Sequence, residues 1–157
     1  MSFDFTAADI MEIAIEIEKN GAEFYRKSAE NVSDSESKKL LIDLAVMENE
    51  HEKMFVEMKK SLSELEKSST VFDPDDESGQ YLRALADIRV FYEMDRPRES
   101  LKEIFKSAIN AEKDSIVFYL GMKDMVPEKY GKDRIDDIIK EEMRHISLLS
   151  KQLVGLK

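Results

Sequence analysis

At 157 residues the chain fits one domain with room for a buried core, and 37% charged against 42% hydrophobic residues, with three prolines and five glycines, suits a mostly helical protein. The absence of cysteine excludes disulfides, thiolate metal sites, iron–sulfur clusters and cysteine nucleophiles within it. A formal net charge of −10 argues against nucleic acid as a partner, because no basic stripe is present to meet phosphates.

No run approaches the ~18 apolar residues of a membrane span, and Met1 to Thr6 carry neither a basic region nor an apolar signal core. A soluble, cytoplasmic protein is therefore the expectation. The first helix is predicted to begin near Thr6, an N-cap residue with Asp9 three positions on, and to run to about Asn31. Its stripe of Ala7, Met11, Ala14, Glu18, Gly21, Tyr25, Ser28 and Val32 alternates steps of four and three. That is the spacing of a helix face turned toward a bundle core, yet it carries Glu18 in its middle. Ser33-Asp34-Ser35 reads as a turn and cap, and the second helix as running from about Asp34 to Lys67.

Residues 68–97 form the one long connection, opening Ser68-Ser69-Thr70 and carrying Asp73-Pro74-Asp75-Asp76. Within it, Gln80 to Phe91 (Tyr81, Leu82, Leu85, Ile88) reads as a short amphipathic helix. A structureless link of this length is unusual in a compact domain, so a crossover along a bundle is the better reading. The third helix is expected to start near Arg98-Glu99-Ser100, with the stripe Leu101, Phe105, Ala108, Glu112, Ser115, Tyr119, Met122 and Val126. Pro127 then sits where proline is tolerated, in the first turn of a fourth helix that continues past Gly131, an early weak point, to about Val154.

The second and fourth helices each hold a Glu-x-x-His. In the second, Leu41, Leu44, Glu48, His51, Phe55, Met58 and Leu62 make the stripe; in the fourth, Ile135, Ile138, Glu142, His145, Leu149, Gln152 and Leu156. Residues three apart share a helix face, so carboxylate and imidazole occupy core positions, where an unpaired charge is expensive. Both pairs lie 94 positions from their counterparts, and His51 and His145 are the only histidines in the chain. The same offset matches Glu18 with Glu112, Lys19 with Lys113, Phe24-Tyr25 with Phe118-Tyr119, and Asp43 with Asp137. The chain reads as a duplicated helical hairpin within one domain over 1–157: hairpin one at 6–67, a crossover at 68–97 and hairpin two at 98–154.

Spacing alone brings these groups level. Glu18 lies about 13 residues before the end of the first helix and Glu48 about 14 residues into the second, roughly 20 Å out and back at 1.5 Å per residue. Glu18 to Glu48 and Glu112 to Glu142 are both 30 positions apart. Docking the hairpins about a two-fold axis makes Glu18, Glu48, His51, Glu112, Glu142 and His145 converge. Four carboxylates so packed would repel and could not all stay ionised. Two divalent cations balance their charge, and each neutral imidazole caps one metal. Oxygen and imidazole donors without sulfur suit iron or manganese, and zinc is chemically acceptable. One Glu from each of two helices plus a Glu-x-x-His from each of the others is the ligand set of di-iron carboxylate bundles. The bland alternative is a metal-free buried polar network.

Tyr25 and Tyr119 sit seven residues beyond Glu18 and Glu112 on the same stripes. They read either as a hydrogen bond or electron relay serving the site, and so as catalytic candidates, or as core residues closing its apolar wall. Asp43 and Asp137 fall about 140° from the ligand stripe and belong to a solvated face.

On Glu18 to Tyr25 with Glu48-Asn49-Glu50-His51, and on Glu112 to Tyr119 with Glu142-Met143-Arg144-His145, the chain resembles the ferritin-like superfamily and within it the rubrerythrin branch. The resemblance covers nearly everything but the crossover. It implies an all-α, ferritin-like four-helix bundle holding two iron ions. Glu48 and Glu142 would bridge them, with Glu18, His51, Glu112 and His145 as terminal ligands. It also implies reaction with hydrogen peroxide or dioxygen, as in oxidative-stress defence. Two features depart from rubrerythrins proper. The cysteine-rich rubredoxin-like domain has no counterpart, so an external electron donor is needed. The extra carboxylate one turn past the first Glu of the third helix is replaced by Ser115, with Gly21 as its mate, which leaves the ligand exchange that carboxylate permits unsupported here. Iron handling by a ferroxidase and a non-catalytic metal-binding module are the competing functions. A homodimer is expected by analogy, with the long link allowing helix pairs to swap between subunits.

Overall fold

The computed structural model describes residues 7–65, 100–124, 126 and 131–156. Among them the chain forms four helices: α1 (Ala7–Glu30), α2 (Ser35–Leu65), α3 (Leu101–Lys123) and α4 (Lys132–Gly155). The expected cap at Thr6, the crossover with its Gln80–Phe91 helix, and Pro127 lie outside the described residues. No helix among the described residues is long and apolar enough to cross a membrane.

The helix starts follow local chemistry. The Asp34 carboxylate accepts the Ser37 N–H at 3.0 Å, satisfying one of the orphan donors at the start of α2. Ser100 is extended, at φ −130°, and its Oγ accepts the Glu103 N–H at 3.1 Å to cap α3.

The start of α4 departs from the expectation. The helix begins at Lys132, and Gly131 precedes it at φ 118°, a left-handed conformation that cannot lie inside a right-handed helix. Its carbonyl accepts the Ile135 N–H at 3.0 Å, the first bond of the new helix. A Cβ there would stand 3.2 Å from Met58 Cε of α2, a tight contact to which the flexible methionine would have to yield by a few tenths of an ångström. Gly131→Ala is therefore expected to destabilise by about 1–2 kcal/mol through backbone strain, lowering the melting temperature by roughly 2–8 °C in thermal unfolding followed by circular dichroism.

Where side chains are described the predicted stripes are largely the buried faces; Leu101 is half-buried, and the side chains of Ala7 and Leu62 lie outside the described ones. Met11, Ala14, Glu18, Tyr25, Leu41, Leu44, Glu48, His51, Phe55 and Met58 are all buried in the first hairpin. The second hairpin repeats this with Phe105, Ala108, Glu112, Tyr119, Met122, Ile135, Ile138, Glu142, His145 and Leu149. Toward the end of α4 the stripe opens, leaving Gln152 half-buried and Leu156 exposed.

The core divides into two apolar clusters. One joins the first half of α1, the later part of α2, the last turns of α3 and the start of α4, around Ile10, Met11, Phe55, Phe118 and Ile138. The other joins the opposite ends, around Phe24, Leu41, Leu44, Phe105 and Leu149. In every helix the charged core residues fall between the two clusters. The polar groups thus form a layer sealed above and below by hydrocarbon.

Candidate metal centre

Each helix contributes to this layer. Glu18 from α1, Glu48 and His51 from α2, Glu112 from α3, and Glu142 and His145 from α4 are all at most 2% exposed. His51 Nδ1 lies 3.2 Å from Glu142, 3.5 Å from Glu18 and 3.8 Å from Glu48. His145 Nδ1 lies 3.2 Å from Glu142, 3.3 Å from Glu112 and 3.4 Å from Glu48. The two rings stack with centroids 5.8 Å apart. All six residues that the sequence singles out as ligands are together.

Both tyrosines enter the same layer, each crossing to the other hairpin. Tyr25 donates its hydroxyl to Glu112 Oε1 at 2.5 Å, and Tyr119 donates to Glu18 Oε1 at 2.5 Å. The two bonds are equivalent under the duplication. Burial, together with the nearby Glu18 and Glu142 charges, pushes the Tyr119 phenol well above its ordinary range, so it stays a donor. Tyr25→Phe keeps the ring and removes the hydroxyl that Glu112 accepts from. The expected loss is about 1–3 kcal/mol for a bond to a buried charged group, read by chemical denaturation of chelator-treated protein.

The electrostatics sort the carboxylates into two kinds. Burial pushes Glu48 well above the ordinary carboxylate range, and repulsion from Glu142, Glu18 and Glu112 adds to it. Burial does the same to Glu142, with repulsion from Glu112 and Glu18. For Glu18 burial also pushes upward, but hydrogen bonds with Glu48 and His51 and the bond from Tyr119 outweigh it and hold the carboxyl low. Glu112 is likewise drawn down, to about 2, against burial, by Glu142, His145 and Tyr25. Burial opposes charge on the imidazoles, yet the surrounding carboxylates raise His51 far above its usual value and His145 to about 10.

Protein atoms alone do not satisfy this layer. Glu18 Oε2, Glu48 Oε1, Glu112 Oε2, Glu142 Oε2 and His145 Nε2 are buried without a hydrogen-bond partner among the described residues. Buried acceptors left so are costly. Their donor atoms nevertheless form two compact sets, Glu18, Glu48, His51 and Glu142, and Glu48, Glu112, Glu142 and His145, each within 4.8 Å of one another. Glu48 and Glu142 belong to both sets. Oxygen-rich donors with one imidazole apiece, several of their oxygens buried without a partner, fit a pair of divalent cations.

One neighbour escapes a reading of the sequence. Glu141 of α4, half-buried, meets His51 Nε2, the ring nitrogen facing away from the other carboxylates. The duplication pairs Glu141 with Met47, so a search for matched residues passes over it. The usable signal is the imidazole itself, since a buried ring with one nitrogen turned inward needs a partner for the other. Ser115 stays out of the centre, its hydroxyl donating to the Ala111 carbonyl at 2.9 Å. Asp43 pairs with Lys39 at 2.7 Å on the exposed surface, and Asp137 is exposed, as their angle on the helix requires.

The model of the rubrerythrin family matches residues 9–153. A crystal structure of a candidate ferritin-like diiron-carboxylate protein from Thermotoga maritima superposes with a TM-score of 0.73 at 28% identity, covering 100% of both chains. No curated protein matches the sequence. With the doubled Glu-x-x-His, the sealed carboxylate layer and a family match running from α1 almost to the end of α4, the chain belongs to the rubrerythrin family.

Proposed function

We propose that the layer holds two iron ions and that the protein reduces hydrogen peroxide, with dioxygen as the slower oxidant. The observation that carries this is the pair of four-residue donor sets sharing Glu48 and Glu142. In this reading Glu48 and Glu142 would be shared by both ions, Glu18 and His51 would complete one position, and Glu112 and His145 would complete the other. When bound, a ferrous pair supplies the two electrons that cleave the peroxide O–O bond.

The chain's own residues do the rest. The four carboxylates match four positive charges, so the filled layer is neutral overall. The apolar clusters on either side keep bulk water away and strengthen every charge interaction within. Tyr25 and Tyr119 hold Glu112 and Glu18 in place and keep a proton at the edge of the site. Reduction of one peroxide to two waters consumes two protons and two electrons. The chain has no cysteine to form an iron–sulfur relay, so the electrons come from an external donor.

Anaerobic loading with ferrous iron, followed by stopped-flow oxidation, tests the proposal. Two irons per chain and oxidation by peroxide much faster than by dioxygen support it. Equal rates with iron accumulating beyond two per chain point to iron handling instead. A centre that takes zinc and remains redox-silent after iron loading makes it a non-catalytic module.

A further inference from the structure

We propose that Glu141 is a positioning residue that makes the two metal positions unequal, so that the position capped by His51 fills more tightly than the one capped by His145. The inference rests on the di-metal reading above. It starts from a break in the symmetry. His51 and His145 both turn Nδ1 toward the shared carboxylates. A ring that coordinates through Nδ1 carries its hydrogen on Nε2. For His51 that hydrogen is donated to the Glu141 carboxylate. For His145, Nε2 is buried and has no partner among the described residues.

The sequence explains the difference. The two-fold relation that carries His51 onto His145 also carries Glu141 onto Met47. A thioether is at best a weak acceptor, and a carboxylate is a strong one. The anionic partner fixes the His51 tautomer, aims its ring and raises the basicity of Nδ1; His145 receives none of this. The six candidate ligands and the crossed tyrosines are all matched between the halves. Among these matched groups, the partner of the imidazole Nε2 is where the described halves differ in charge.

Cobalt(II) serves as the probe, added to chelator-stripped protein without oxygen and followed by calorimetry and by its visible ligand-field bands. Two binding steps are expected. Repulsion between two cations would also separate them, so the variants carry the test. Glu141→Ala should weaken the tight step by roughly 10–100-fold and leave the weak step nearly unchanged. Glu141→Gln, whose amide oxygen still accepts the Nε2 hydrogen, should recover part of that loss. Met47→Glu, which supplies the missing carboxylate, should tighten the weak step. In the cobalt-loaded protein, proton NMR should show one hyperfine-shifted imidazole N–H protected from exchange, and Glu141→Ala should abolish it. A tight step untouched by Glu141→Ala, or two protected N–H signals of equal intensity, overturns the proposal while leaving the metal centre standing. Failure of the wild-type protein to bind cobalt or ferrous iron overturns both.

Discussion

Replacing Glu48 with Gln is expected to shift stability in opposite directions with and without metal. In the metal-free protein Glu48 is 2% exposed and surrounded by three other carboxylates, so folding must hold it protonated against their field. Glutamine keeps the shape and removes the need. Removing one of four crowded carboxylates relieves their mutual repulsion, and a gain on the order of 1 kcal/mol would raise the melting temperature by about 2–4 °C. With metal the same change removes a donor common to both positions. Affinity at both steps should fall by at least ~100-fold, the upper range seen when even an outer hydrogen-bond partner of a ligand is lost. Thermal unfolding of wild type and variant, each with chelator and with excess ferrous iron under nitrogen, reads both effects. A variant that shifts both states in the same direction by the same amount would mean the layer is a structural polar network.

The second large effect concerns pH. Metal-free protein should lose stability as the solution moves from mildly acidic to alkaline, and loaded protein should lose far less. Glu48 and Glu142 are raised above 4.5, so the unfolded chain ionises them first and folding is opposed increasingly as pH climbs above that value. His145, raised from 6.5 to about 10, contributes stability that is complete below pH 6.5 and gone by about pH 10. His51 acts in the same sense. Glu18 and Glu112 work the other way: their contribution is complete above pH 4.5 and lost as pH falls, for Glu112 toward about 2. Each titrating group is worth at most about 1.4 kcal/mol per pH unit across its own window. The melting temperature of chelated protein should therefore peak in mildly acidic solution, and the gap to loaded protein should widen toward high pH. Metal uptake must displace the imidazole protons. Calorimetry in two buffers of different ionisation enthalpy should accordingly show at least two protons released at neutral pH, one from each of His51 and His145. Release of none would show that the rings are already neutral and the carboxylate field weaker than the geometry indicates.

Much of this site is legible in the amino-acid sequence, because the features that make it are periodic. A carboxylate on an apolar stripe is visible through the 3.6-residue repeat, and a duplicated one is visible twice. Glu18, Glu48, His51, Glu112, Glu142 and His145 stand out in that way, and the crossed tyrosine bonds agree with the reading of Tyr25 and Tyr119 as hydrogen-bonding neighbours. Periodicity does not locate the start of α4. The signal there is a backbone angle at Gly131 and the approach of Met58 from a different helix, and neither leaves a repeat in the sequence. Glu141 escapes for the opposite reason. Its importance lies in having no counterpart, and a search for counterparts discards it.

The crossing of the tyrosines carries a consequence for how such a chain came to be. Because Tyr25 serves Glu112 and Tyr119 serves Glu18, neither hairpin completes its own half of the layer. Two copies of one hairpin, docked face to face, would complete both halves. Such a pair would be bound by its symmetry to place the same residue beside both histidines, either two carboxylates or two thioethers. Joining the copies into one polypeptide lifts that constraint, and residues 47 and 141 are where this chain has used the freedom. If the proposed inequality holds, fusion of the hairpins is what would allow one bundle to hold two ions on different terms.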